Sequence, residues 1–87
     1  MLKVYAASWC PHCVATIAYL KKRGIPFEVI DMDHADPETE RKVVEINGGD
    51  DWVVPTLENA GKWRPGEVFD EKKLAVDLKQ LGIDVPC

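Results

Sequence analysis

Two cysteines separated by Pro-His, Cys10-Pro11-His12-Cys13, stand at the junction of a strand-like run and a helix-like run. That placement constrains the chain more than any other feature. Upstream, "LKVYAA" (2–7) is short and rich in β-formers, which predicts a strand. Downstream, "PHCVATIAYLKKRG" (11–24) predicts a helix. Pro11 suits the first helical position, where a missing N–H costs nothing. Cys13, Ile17 and Leu20, with Val14 and Ala18 beside them, repeat as one apolar face, and Gly24 is placed to end the helix.

The punctuation continues along the chain. "PFEVIDM" (26–32) predicts a second strand. "DPETERKVVEING" (36–48) predicts a second helix, with Asp36 as N-cap, Pro37 in the first turn and "NGG" (47–49) as the stop. "WVVPTLENAGKWR" (52–64) predicts two short strands around a turn at Asn59-Ala60-Gly61. "DEKKLAVDLKQLG" (70–82) predicts a third helix, capped by Asp70, with Leu74, Leu78 and Leu81 on one face. The order is β-α-β-α-β-β-α. The first two strands, joined through a helix, are expected to be parallel with a right-handed crossover, and the hairpin adds an antiparallel edge. At 87 residues, without repeats or an internal linker, the chain is expected to form one domain, 1–87.

The cysteine spacing matters because of where it falls. Cys10 is expected at a helix N-terminus, where unpaired N–H groups and the dipole favour negative charge and hence the thiolate, the nucleophilic form of the thiol. Cys13 lies one turn on, on the apolar face, and is expected to be more buried. The division of labour follows: Cys10 attacks a disulfide and Cys13 resolves the mixed disulfide. Two other readings of the pair are ordinary core cysteines and part of a metal site. Zinc wants four ligands, and only His12, His34 and Cys87 could complete the set. His12 is badly placed to share a tetrahedron with both cysteines. No metal site is expected.

Taken together, "SWCPHC" (8–13), "NGG" (47–49) with "VVPT" (53–56) and the element order resemble the glutaredoxin branch of the thioredoxin fold, over about residues 1–82. Within it, "SWC" (8–10), "IDMDH" (30–34) and "NGGDDWVVPT" (47–56) are similar to mycoredoxin-type and glutaredoxin-like small redoxins. The resemblance implies an α/β thioredoxin fold, a four-stranded mixed sheet flanked by three helices. It implies a dithiol oxidoreductase that reduces protein disulfides or small-thiol mixed disulfides. It further implies a cis bond between Val54 and Pro55, with Val54-Pro55-Thr56 as a docking loop whose backbone pairs with substrate as an added strand. No bound cofactor is expected, since the redox group is the cysteine pair. Glutathione or another low-molecular-weight thiol is the expected co-substrate.

Three departures from that pattern stand out. Glutathione-using glutaredoxins carry Gly-Gly followed closely by Asp after the hairpin. Here "WRPGEVFDEKK" (63–73) has Pro65 and Gly66, with Asp70 four residues on. Asp70 with Lys72 or Lys73 is the candidate pair for the carboxylate and amine of a small thiol. Mycoredoxins also lack the Gly pair and use a different small thiol. Trp63-Arg64-Pro65 resembles a stretch of the redoxins that feed ribonucleotide reductase and are themselves reduced by thioredoxin reductase. The alternative for that stretch is ordinary surface structure. Pro11-His12 resembles the pair in strongly oxidising periplasmic thiol oxidases. A protonated His12 beside the Cys10 thiolate would stabilise the reduced form, so Pro11 and His12 are read as tuning residues. The alternative is a solvent-facing ring. An iron–sulfur or zinc carrier is the rival from another class.

Other residues are read more simply. Trp9 either offers substrate a contact face or packs in the core. Tyr5 is read as core, His34 as a solvated loop residue, and Cys87 as an exposed thiol or a third redox cysteine. Acidic residues are scattered and the net charge is −4, which argues against nucleic acid. "KKR" (21–23) is explained by a helix C-terminus. Apolar runs fall far short of a membrane span, and "MLKVYAASWC" makes a poor signal peptide, so a cytoplasmic monomer with disulfide-bearing protein partners is expected. Three cysteines are too few for a stapled secreted scaffold.

Overall fold

A computed structural model of the chain describes residues 1–84. The elements run β1 (Leu2–Ala6), α1 (Pro11–Lys22), β2 (Phe27–Asp31), a short 3-10 turn (Met32–His34), α2 (Pro37–Ile46), β3 (Thr56–Asn59), β4 (Lys62–Arg64) and α3 (Glu71–Gln80). The sheet order is β2-β1-β3-β4. β1 pairs with β2 in parallel from Leu2↔Phe27 to Ala6↔Asp31, and with β3 antiparallel through Val4↔Leu57. β3 pairs with β4 antiparallel. This is the α/β, four-stranded mixed sheet with three helices that the element order predicts.

Strand alternation sorts the helices onto two faces. Val4, Leu57 and Arg64 are in register across three strands, and Arg64 reaches Asp77 of α3, so α3 covers that face. α1 lies beside α3, joined by an Arg23–Glu71 ion pair and by the Tyr19 ring edge-on to Phe69. The opposite face carries Tyr5 stacked on Trp63 at 5.4 Å, with Lys42 of α2 over the Trp63 ring. Leu2, Val4, Leu20, Leu57, Leu74 and Leu78 are sealed in the core. Each such side chain contributes about 1.5–3 kcal/mol of burial.

Capping fixes where the helices begin. Asp36 accepts from the Thr39 N–H at 2.7 Å, and Asp70 Oδ1 accepts from the Lys72 and Lys73 N–H groups. Both acids satisfy orphan donors of a first turn. The hairpin turn is Ala60-Gly61, both with positive φ, the geometry that matches the twist of a two-residue hairpin. Asn59 Nδ2 donates to Leu81 O at 2.7 Å and fastens the hairpin to the end of α3.

Three expectations shift. The first strand of the hairpin begins at Thr56 rather than at 52, because Pro55 has no N–H to give a ladder. The buried face of α1 is Cys13, Thr16, Tyr19 and Leu20. Val14 is 58% exposed and Ala18 is exposed, because the helix is rotated to bring Tyr19 onto Phe69 near α3. Arg64 is 7% exposed, so of Trp63-Arg64-Pro65 the arginine is not ordinary surface, while Pro65 is exposed and Trp63 half-buried. Cys87 lies outside the described residues. Among those residues, no helix is long and apolar enough to cross a membrane.

Candidate active site

A reverse turn delivers the cysteine pair. The Cys10 N–H closes back on Ala7 O at 3.1 Å, which ends β1 and turns the chain into α1. Trp9, at the turn's corner, is 65% exposed, so it is not a core ring. Its Nε1–H donates to Asp33 Oδ2 at 3.0 Å, and its ring lies 6.3 Å from Trp52. Cys10 is the N-cap of α1 and Pro11 its first residue. The Cys10 sulfur therefore sits at the positive end of the helix.

Both thiols are free and buried, Cys10 at 5% and Cys13 at 1% exposure. Burial pushes the Cys13 thiol from 9.0 up to about 12, a backbone hydrogen bond at Ala7 pulls the other way, and the neighbouring Cys10 adds to the rise. Behind the pair, Cys13 lines a mainly apolar cleft of about 210 Å³ with Ala6, Ala7, Val14, Ile17 and Val29.

The Val54–Pro55 loop meets Cys10 from the far side. The Val54–Pro55 bond is cis, and Val54 O lies 3.9 Å from Cys10 Sγ. Val54, Pro55 and Thr56 are buried, and three residues brace them. Thr56 Oγ1 donates to Val53 O at 2.6 Å and accepts from Asn47 Nδ2 at 2.9 Å. Asn47 Oδ1 accepts from the Gly66 N–H at 2.8 Å. Arg64 donates from Nη1 to Pro55 O at 3.3 Å. Asn47 thus ties the end of α2, the Val54–Pro55 loop and the 65–70 segment together. Sequence reasoning passed over it, because Asn at a helix end already reads as a cap.

Gly66 is needed for close approach. A Cβ there would sit 2.6 Å from both the Val53 carbonyl oxygen and its Cγ1. Since one of those atoms is backbone, the loop itself must move. Gly66→Ala is expected to cost about 1–3 kcal/mol, the range for overpacking. It should also raise the KM for a disulfide substrate more than it lowers kcat. Thermal melts and steady-state kinetics check both.

At the remaining edge His12 meets the segment that leads into Asp70. The Phe69 N–H donates to His12 Nδ1 at 3.0 Å. A charged His12 would have to give up that bond, since both ring nitrogens would then be donors. Asp70 follows as the cap of α3. Of its two candidate partners, Lys73 turns away: its Nζ pairs with Glu67 at 2.9 Å and Asp77 at 3.0 Å. Lys72 is exposed, and its N–H donates to Asp70 Oδ1. His34 pairs with Asp31 at 2.9 Å on the surface, which raises its pKa above the ordinary imidazole range. Among the described residues, no group of three His, Cys, Asp or Glu side chains gathers as a metal site.

Comparison with known proteins agrees with this geometry. The glutaredoxin family model matches residues 2–60. The fold is similar to that of a glutaredoxin from Archaeoglobus fulgidus, with 34% identity over 86% of this chain and 82% of that one, at a TM-score of 0.68. A thioredoxin-like protein shares 26% identity over 92% of this chain and 95% of its own, at 0.67. A glutaredoxin from Brucella melitensis shares 25% over 93% and 83%, at 0.63. A search of curated proteins gives no match. The family match and the archaeal identity, over a chain that places a Cys-X-X-Cys helix start against a cis-proline loop, establish that this chain belongs to the glutaredoxin family.

Proposed function

We propose that this chain is a dithiol oxidoreductase that reduces protein disulfides or mixed disulfides with small thiols. The observation that carries the reading is the placing of Cys10: it is the N-cap residue of α1 and its sulfur faces Val54 O at 3.9 Å, with Cys13 buried behind it. In this reading Cys10 Sγ attacks one sulfur of the substrate disulfide. A new S–S bond forms, the substrate bond breaks, and the leaving thiolate takes a proton from solvent. Cys13 then loses its proton and attacks Cys10 Sγ. The second substrate thiol leaves, and the protein is left with an intramolecular disulfide.

Val54, Pro55 and Thr56 supply the docking edge, and exposed Trp9 beside it supports an apolar contact with a protein partner. Glutathione or another small thiol is the proposed reductant, taken near Asp70. The protein works as a cytoplasmic monomer without a bound cofactor. A second reading, a redoxin fed by thioredoxin reductase, is favoured by Lys73: its ammonium is held by Glu67 and Asp77 and is not free for a small thiol's carboxylate.

One comparison tests both readings. The oxidised protein is offered glutathione with glutathione reductase, and separately thioredoxin reductase, each with NADPH. Turnover with glutathione is the expected result. Rapid turnover with thioredoxin reductase alone overturns the small-thiol reading in favour of the second.

A further inference from the structure

His12, between the cysteines, has a contact that its reading as a charged tuning residue does not need. His12 Nδ1 accepts from the backbone N–H of Phe69, a partner 57 residues away in sequence, at 3.0 Å. Only a nitrogen with a free lone pair accepts, so the ring is the tautomer that carries its single proton on Nε2. The segment it grips runs from the docking loop to α3. At one end Gly66 is pressed on Val53 and held by Asn47. At the other, Phe69 packs edge-on against Tyr19 of α1, and Asp70 starts α3. Val68, between them, is 68% exposed. The segment therefore forms a wall beside the start of α1 on the side of α3, and His12 fastens that wall to the helix that carries both thiols.

We propose that His12 is a positioning residue that works as a neutral hydrogen-bond acceptor, holding the 65–70 wall against the start of α1, and that it does not act by placing positive charge beside Cys10. This rests on Cys10 being the attacking sulfur. The role has a simple chemical requirement: an acceptor at the place of Nδ1. Asparagine meets it, because its Oδ1 occupies a similar position, and it carries no titrating proton. Leucine has similar bulk and no acceptor, and leaves the Phe69 N–H without that partner. The wall then loosens, while the cysteines and their helix are untouched.

Two measurements decide the matter. Long-range proton–nitrogen correlation on the native reduced protein reads the His12 ring directly, and a proton on Nε2 with bare Nδ1 is expected. Steady-state reduction of an oxidised two-cysteine peptide is then compared in native, His12→Asn and His12→Leu proteins. His12→Leu is expected to raise KM about 3- to 10-fold with kcat little changed, the fold-change of one ordinary hydrogen bond. His12→Asn should restore the native KM. In both variants the equilibrium constant against a reference dithiol should stay within about twofold of native, since no charge is removed. A ring protonated on Nδ1 overturns the proposal. So does an asparagine variant as poor as the leucine one, or an equilibrium constant moved tenfold or more in both. The ring signature needs no turnover, so a failure of exchange chemistry at Cys10 is told apart from a failure of the His12 assignment.

Discussion

Replacing Cys13 with serine is expected to stop the reaction halfway, with substrate covalently held on Cys10. Cys10 can still attack, because its place at the start of α1 and opposite Val54 does not depend on the Cys13 sulfur. A serine hydroxyl cannot displace a thiol from Cys10, so the mixed disulfide persists, and two-thiol reduction of a protein disulfide should fall by about 100-fold or more. The native protein should show the same intermediate for a time that depends on pH. Cys13 must become a thiolate to resolve it, and burial holds that thiol above its ordinary value of 9.0. Below that value the thiolate fraction grows about tenfold per pH unit, so the resolving step should accelerate by that factor. Acid quenching followed by mass measurement counts the adduct at each pH. A resolving rate flat with pH would remove Cys13 from the role, and no adduct in the serine variant would overturn the attack by Cys10.

The same shift has a consequence for the reduced fold. Folded Cys13 holds its proton more tightly than the unfolded thiol does, so the contribution is whole below the ordinary value of 9.0 and is lost as pH rises toward about 12. Denaturant melts of the reduced protein across that window should show stability falling, and Cys13→Ala should flatten the fall.

Much of this arrangement is legible in the residues themselves. Pro11 and Asp36 mark helix starts, and the Leu74, Leu78 and Leu81 stripe is buried as its spacing predicts. The position of Cys10 follows from a strand running into Pro11. What is not legible depends on partners far apart in sequence. His12 reads as a tuning residue or a solvent-facing ring, and its Phe69 N–H partner lies 57 residues away. Asn47 and Gly66 look like turn residues because neither sequence neighbourhood contains the other. Trp9 could face either way, and only the Asp33 carboxylate, held at the end of β2, fixes it outward. Arg64 had a signal that local pattern reading passes over. Asp77 falls within the apolar stripe of α3, and an acid there needs a buried cation to meet it.

That pairing makes Arg64→Met the substitution with the largest expected effect on stability. Arg64 Nε lies 3.0 Å from Asp77 Oδ2 and 3.3 Å from Glu67, and its Nη1 reaches Pro55 O. Both partners of the Arg64–Asp77 pair are nearly sealed, with side chains 8% and 9% exposed. Methionine keeps much of the side-chain volume, so the loss is electrostatic rather than a cavity. It leaves Asp77 to Lys73, whose side chain is 52% exposed, and leaves the Pro55 carbonyl without the guanidinium. Removing one partner of a buried pair costs about 3–5 kcal/mol, and the remaining Lys73 contact places this one near about 3. For a domain of this size that lowers Tm by about 10–20 °C. The double variant Arg64→Met with Asp77→Leu takes away both charges and should recover at least half of the loss, because the penalty comes from the stranded carboxylate. KM should not recover with it, because Pro55 O still lacks its donor. Stability and KM both restored in the double variant would mean that Arg64 supports the fold but not the docking loop. A single variant within about 0.5 kcal/mol of native would mean that the quartet of charges is screened by solvent and holds neither.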